Sequence, residues 1–265
     1  MRKILFILVF VSAATLVSCS YSRLLKSTDH AAKYKYALNC YEHHDYNRTL
    51  ELFDVLQSYY RGKAEGEEIA YLTGECYFNL SEYMIASQYY KRYAATYPFA
   101  SRTPDALFKS AYCYYKISPN QSLDQKYTHQ AISEFQQFID AYPSNKLVER
   151  ANGIMDTLRM KLEEKDFATC KLYYKTGEYL AAVTSFDTFL KDYPGTSHRE
   201  EILYYTILTY CHYALESVEE KQKERFDFAL EKYNTLIYVY PESQYTAELD
   251  EAIAITREKL TKKKK

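Results

Sequence analysis

A small residue, two bulky residues and a Tyr-Pro step return along this chain at offsets of four, three and four. Ala182, Phe186, Phe189 and Tyr193-Pro194 form one copy, and Ala131, Phe135, Phe138 and Tyr142-Pro143 another. Ala86, Tyr90, Tyr93 and Tyr97-Pro98 fit the same frame, as do Ala229, Tyr233, Leu236 and Tyr240-Pro241. Thr49, Phe53, Leu56 and Tyr60 repeat it without the proline. These offsets put the side chains on one face of a 3.6-residue helix, and a proline just past the last position bars the helix from continuing. Each copy is therefore predicted to be a helix with its own stop. Pro98, Pro143, Pro194 and Pro241 are 45, 51 and 47 residues apart, which leaves room for a partner helix and a variable loop, the period of a helical solenoid. The small first position allows close helix approach and the aromatics fill the space between pairs, so they are core rather than cofactor ligands.

The frame resembles the tetratricopeptide repeat, best in the second copy, where Gly74, Tyr77, Ala86, Tyr90 and Pro98 stand at that repeat's spacings. The chain has no Trp, and Tyr, 31 of 265 residues, supplies much of the bulk instead. The expected fold is all-α: a right-handed solenoid of about five tetratricopeptide-like helix pairs plus a C-terminal capping helix.

Arg2-Lys3 and the apolar run Ile4 to Leu16 read as a secretory signal, too short for a spanning helix. Leu16-Val17-Ser18-Cys19 resembles a lipobox, which makes residues 1–18 a lipoprotein signal peptide and Cys19 the first mature, lipidated residue. Diacylglycerol and a further acyl chain such as palmitate, at about 0.8 kcal/mol per buried methylene, form a durable anchor. Ser20 follows Cys19 where an Asp would favour the inner membrane, and no acidic cluster follows. These features predict the periplasmic face of the outer membrane of a Gram-negative bacterium.

Residues 19–30 are then a lipidated leader, 31–143 three N-terminal repeats, 144–261 two C-terminal repeats with the capping helix, and 262–265 a basic tail. His43-His44-Asp45 breaks the first pair, and Arg61 to Gly66 turns the chain into the second. Ser81 with Glu82 is a plausible start for the next helix. Ser118 to Gln125 is an insertion within the third pair, and such insertions map to loops. Lys146 to Lys175 has no proline and reads as one long helix, turned back at Gly177-Glu178.

The remaining cysteines, 40, 76, 113, 170 and 211, all fall in predicted first helices with no CxxC pair. An odd, helix-buried set argues against a disulfide framework, and they read as small buried hydrophobes. His43 and His44 are adjacent, so they do not share a helix face, and a turn explains them better than a metal. No phosphate loop, nucleophile elbow or HExxH motif is present. The chain is expected not to be an enzyme and to need no cofactor and no metal. A formal net charge of −1 gives no reason to expect nucleic acid.

In tetratricopeptide folds the first helix of each pair lines the concave side. The resemblance places Tyr34, Leu38 and Tyr41 there, then Tyr71, Glu75 and Phe78, then Phe108, Tyr112 and Tyr115. Some of these could equally pack between helices. Where exposed, they would form a Tyr-lined trough for an extended peptide, with phenol hydroxyls bonding its backbone and rings stacking on its aromatic side chains.

Lipobox, mature length, helix pairs and closing helix together resemble the BamD family, lipoproteins of the machinery that inserts β-barrels into the outer membrane. Asp124-Gln125, Ala131, Phe135 and Tyr142-Pro143-Ser144 follow that family's pattern, as do Tyr173-Tyr174, Gly177, Tyr179, Ala181 and Tyr193-Pro194, and Tyr97-Pro98-Phe99 is similar to its first Tyr-Pro-Phe junction. Ser185 departs from it, because a basic residue is common there and is implicated in docking the barrel protein BamA. The resemblance implies a scaffold whose N-terminal repeats receive C-terminal targeting segments of unfolded outer-membrane proteins, while its C-terminal repeats dock on BamA and the other assembly subunits. The alternative is another tetratricopeptide lipoprotein that scaffolds envelope-division or peptidoglycan enzymes. A glycan-binding lipoprotein of the SusD type is disfavoured by its greater length.

Lipidation needs the Cys19 thiol, so Cys19→Ala is expected to leave an unlipidated precursor that metabolic lipid labelling does not mark. Normal labelling and outer-membrane fractionation of that variant would refute the lipobox.

Overall fold

The computed structural model describes residues 21–262; the expected signal peptide, Cys19 and residues 263–265 of the basic tail lie outside them. Helices follow one another with short connections: α1 His30–Glu42, α2 Tyr46–Gln57, α3 Ala64–Asn79, α4 Tyr83–Thr96, α5 Thr103–Ile117, α6 Lys126–Ala141, α7 Val148–Lys175, α8 Tyr179–Asp192, α9 Arg199–Leu215, α10 Glu219–Val239 and α11 Thr246–Lys262. No strand occurs among the described residues. The fold is all-α and built from tetratricopeptide-like helix pairs.

The Tyr-Pro stops work as their stereochemistry requires. Proline excludes the α region for the residue before it, and Tyr97, Tyr142, Tyr193 and Tyr240 all leave it, with ψ of 61°, 60°, 67° and 71°. The copy without proline ends differently: α2 stops at Gln57, and Ser58 keeps helical dihedrals while the chain turns towards Tyr60.

The turns inside the pairs share a second device. Asp45, Glu82 and Glu178 donate their backbone N–H groups to Cys40, Tyr77 and Tyr173, at 2.8, 2.9 and 3.0 Å. The residues before them, His44, Ser81 and Gly177, sit at φ of +60°, +64° and +79°. This is the Schellman termination, in which a left-handed residue lets the next N–H reach back five positions. Ser81 therefore ends α3, and α4 begins at Tyr83. A serine before an acidic residue resembles a helix start in sequence, but the left-handed backbone here has already committed it to the previous helix. Similarly α3 begins at Ala64, inside the stretch read as a turn, with Glu65 and Glu67 in its first turn complementing the helix dipole.

The described residues form two compact units, one ending at Leu158 and the other beginning at Arg159. In the first, consecutive helices from α1 to α6 pack in turn, and Ala151 and Met155 of α7 join Phe108, Ala111, Phe135 and Phe138 in one core. In the second, Phe167 and Cys170 of α7 pack with Ala182, Phe186, Phe189 and Ile202. There α9 packs against α8, α10 and α11, and Leu249 and Ile253 of α11 complete the last core.

The repeated frame is the inside of these cores. Ala86, Ala131, Ala182 and Ala229 are fully buried, as are Thr49, Phe53, Leu56, Tyr90, Tyr93, Phe135, Phe138, Phe186 and Leu236 or nearly so; Tyr233 keeps some exposure. Close approach is visible at Gly74, where an added Cβ would lie 2.8 Å from the Tyr90 ring. All five described cysteines are free and buried.

Phe186 is wholly enclosed, so Phe186→Ala is expected to lower unfolding free energy by about 3–5 kcal/mol through lost burial and a residual cavity. Urea denaturation followed by circular dichroism measures it, and a loss under about 0.5 kcal/mol would contradict the frame's assignment to the core.

Candidate functional site

The first helices α1, α3 and α5 carry the residues expected to line a trough, and the structure sorts them into ties, core and surface. Tyr34 donates its hydroxyl to Glu68, in the first helix of the next pair. Tyr71 repeats this one pair later, donating to Asp105 and accepting from the Lys109 ammonium at 2.8 Å. Glu75 accepts from Lys109 at 2.7 Å and from the Tyr90 hydroxyl. Tyr71 is 8% exposed, and the Arg102 guanidinium lies 5.2 Å from its ring. Charge-assisted bonds of this kind are stronger than neutral ones, and they fasten α3, α4 and α5 together.

Phe108 is only 2% exposed, with its ring edge-on to Phe135 and Phe138 at 5.4 and 5.7 Å. It supports the surface from below. Neither Tyr71 nor Phe108 presents a free ring face. Leu38 is half-buried against the core of Ala37, Leu52 and Phe53. Tyr41 is half-buried and edge-on to Tyr46 at 5.8 Å.

What remains is a continuous aromatic strip. Phe78 lies 6.1 Å from Tyr112, which lies 5.4 Å from Tyr115, and all three are partly exposed. Tyr83 extends the strip, edge-on to Phe78 at 5.3 Å. Two cations flank it: the Lys116 ammonium 5.6 Å from the Tyr83 ring, and the Arg150 guanidinium 5.1 Å from that of Tyr112. Sequence reasoning missed Tyr83, Lys116 and Arg150, because none sits at a first-helix concave position. The Tyr-acid ties had a legible signal: Tyr34 to Glu68 and Tyr71 to Asp105 are both separated by 34 residues.

In the second unit, a cleft of about 730 Å³ opens between α7 and α8, lined by Asp166, Tyr173, Glu178, Leu180, Ser185 and Asp192 among others. Its charged lining is acidic, and Leu180 and Tyr173 are exposed there. The Ser185 hydroxyl donates to the Ala182 carbonyl at 2.9 Å. His43 and His44 are engaged locally, through Nδ1 contacts at 2.8 Å to the Asn39 carbonyl and the Tyr46 hydroxyl. Among the described residues no cluster suits a metal ion, and no helix is long and apolar enough to cross a membrane.

Burial pushes the Tyr41 phenol up from 10.0 to about 12, with help from the Glu75 charge, and burial then the Asp250 hydrogen bond do the same for Tyr233. Burial also raises Tyr34, Tyr71, Tyr90 and Tyr93, each reinforced by a neighbouring carboxylate. The folded chain thus holds these protons more tightly than the unfolded one, so their stabilising effect is complete below about pH 10 and shrinks as pH rises further. Urea midpoints measured between pH 9 and pH 12 are expected to fall steeply above about pH 10, and Tyr41→Phe should make that fall shallower. A flat profile to pH 12 would contradict the phenol ties.

A family model described as an outer membrane lipoprotein, YfiO, matches residues 26–226 and 173–264. The outer membrane protein assembly factor BamD of Caulobacter vibrioides is 26% identical over 139 residues, 52% of this chain and 46% of that protein. The factor of the same name from Vibrio cholerae serotype O1 is 27% identical over 94 residues, 36% of this chain and 39% of its own length. The matched stretches thus span less than half of either relative. Among solved structures, the P58(IPK) TPR domain aligns over 92% of this chain and 69% of its own, at 14% identity and a TM-score of 0.43.

Proposed function

The chain belongs to the YfiO family of outer membrane lipoproteins, and on that premise we propose that it is a non-enzymatic scaffold in the assembly of β-barrel outer-membrane proteins. In this reading it is anchored through Cys19 at the periplasmic face. The N-terminal unit receives an extended, aromatic-bearing segment of an unfolded barrel protein, and the C-terminal unit docks a BamA-like barrel protein. The observation that carries the peptide half is the partly exposed strip of Tyr83, Phe78, Tyr112 and Tyr115. Rings of this kind give large contact area at low entropy cost and keep a hydroxyl for the peptide backbone. The relatives' printed role as assembly factors supports the barrel half.

The docking surface for the barrel protein is placed at the cleft between α7 and α8. With Ser185 in place of a basic residue and Asp166, Glu178 and Asp192 around it, the contact has acidic rather than basic character on this chain. A partner element that inserts an apolar side chain towards Leu180 and brings a cation to the rim fits that lining.

The two halves predict separable lesions. Tyr112→Ala with Tyr115→Ala is expected to weaken binding of a barrel protein's C-terminal peptide by about 1–3 kcal/mol, measured by fluorescence anisotropy, while co-purification of the BamA-like protein persists. Recovery of peptidoglycan hydrolases or division proteins instead, after mild membrane solubilisation, would favour the alternative scaffold. Normal peptide binding by the double variant would remove the strip from the mechanism.

A further inference from the structure

In the first unit α3 has α2 packed before it and α5 has α4, whereas α1 is preceded, among the described residues, only by a short helical segment over residues 21–26. Tyr21 and Leu25 of that segment pack on the core of the first pair. Between the segment and α1 a groove of about 460 Å³ stays open, lined by Tyr21, Leu24, Ala32, Lys35, Tyr36 and Asn39. The Tyr21 and Tyr36 rings stand 5.9 Å apart. The surroundings are basic: residues 21–36 carry Arg23, Lys26, Lys33 and Lys35 against Asp29 alone, a formal +3 in a chain whose formal net charge is −1. Two nearby acids are already engaged, Asp29 accepting from the Ala32 N–H at 2.8 Å and Glu51 from the Tyr21 hydroxyl. Arg23, Lys26 and Lys35 are exposed and make no ion pair among the described residues.

We propose that this groove and its cations form a docking face for anionic phospholipid headgroups, with Arg23, Lys26 and Lys35 meeting lipid phosphates and Tyr21, Leu24 and Tyr36 reaching the boundary with the acyl chains. The proposal rests on the Cys19 anchor in the reading above and adds a second contact with the bilayer. Chain length sets the occupant. Cys19 precedes Tyr21 by two residues, which is no more than about 7 Å of extended chain, so a lipidated Cys19 holds the groove at the membrane surface. The potential of anionic lipids decays over about 8–10 Å, and each Lys or Arg inside that layer strengthens binding about fivefold. Tyrosine suits this level, because its ring is apolar and its hydroxyl wet. Acyl chains on a single residue hold a protein at one point and leave it free to swing. A basic face beside that point fixes how the first helix pair meets the bilayer.

The test reconstitutes the purified membrane-extracted chain into nanodiscs of phosphatidylethanolamine with phosphatidylglycerol, into nanodiscs of phosphatidylcholine alone, and into neutral detergent. Each sample is briefly acetylated with a water-soluble ester, and mass spectrometry reads the yield at each lysine. Lys26 and Lys35 are expected to react about fivefold more slowly in the anionic discs than in detergent, and to regain most of their reactivity in phosphatidylcholine or at high salt. Lys116, exposed on α5, is the internal reference and should react alike in all three. Arg23→Gln with Lys26→Gln should remove most of the protection of Lys35, and circular dichroism checks that the variant keeps native helicity. Lys35 as reactive in anionic discs as in detergent would overturn the inference while leaving the anchor intact. So would equal protection in the two kinds of disc, which reports shielding by the anchor alone. Protection of Lys35 in detergent by glycerol 3-phosphate would assign the site to free phosphate instead, and protection that grows with protein concentration would assign it to a second copy; either overturns the lipid assignment. Failure of the native chain to enter any disc would overturn the Cys19 anchor, and this inference with it.

Discussion

Successive helix pairs in the first unit are joined by a phenol that spans the gap and ends on a carboxylate. Tyr34 reaches Glu68, Tyr71 reaches Asp105, and the Glu75 carboxylate collects both Tyr90 and Lys109. The second unit uses the same chemistry at Tyr193 to Asp166, Tyr204 to Glu248 and Tyr233 to Asp250. A helix pair cannot bury its apolar face alone and depends on its neighbour. Apolar contact would permit many registers of one pair on the next. A hydroxyl that must meet an acid at a fixed offset permits far fewer, and an unmet buried partner is costly. This accounts for a core rich in Tyr and without Trp: the ring fills the volume and the hydroxyl sets the register.

The same economy shapes the partly exposed aromatic strip. Most first-helix aromatics are spent on fastening pairs together, and the strip formed by Phe78, Tyr112 and Tyr115 is what stays partly exposed. It is therefore carried on side chains whose neighbours are already immobilised. A surface held this way meets a ligand without first paying to order itself.

Much of the fold was legible because hard stereochemistry wrote it. Tyr-Pro steps end helices wherever they occur, and offsets of four, three and four put Phe135 or Phe186 in a core with no knowledge of the partner. Helix starts were less legible. Ser81 looks like a cap in sequence, and only the left-handed backbone shows that it closes the preceding helix. The site was legible in part, since nine concave positions were named but only the packing of α6 against α5 reveals that Phe108 is enclosed. Arg150 was invisible for a related reason: it belongs to α7, a neighbour of the strip in space and not in the repeat frame.

Cys40, Cys76, Cys113, Cys170 and Cys211 occupy the first helix of each successive pair, and every one is buried and unpaired. Their thiols are held protonated by burial, and Cys76 and Cys113 are pushed up to about 12. An alkylating reagent can therefore modify each one only while its own pair is open. The chain thus carries a native set of chemical clocks, one for each helix pair. Mass spectrometry of a timed alkylation would convert them into a profile of opening free energy along the array, without a single engineered probe.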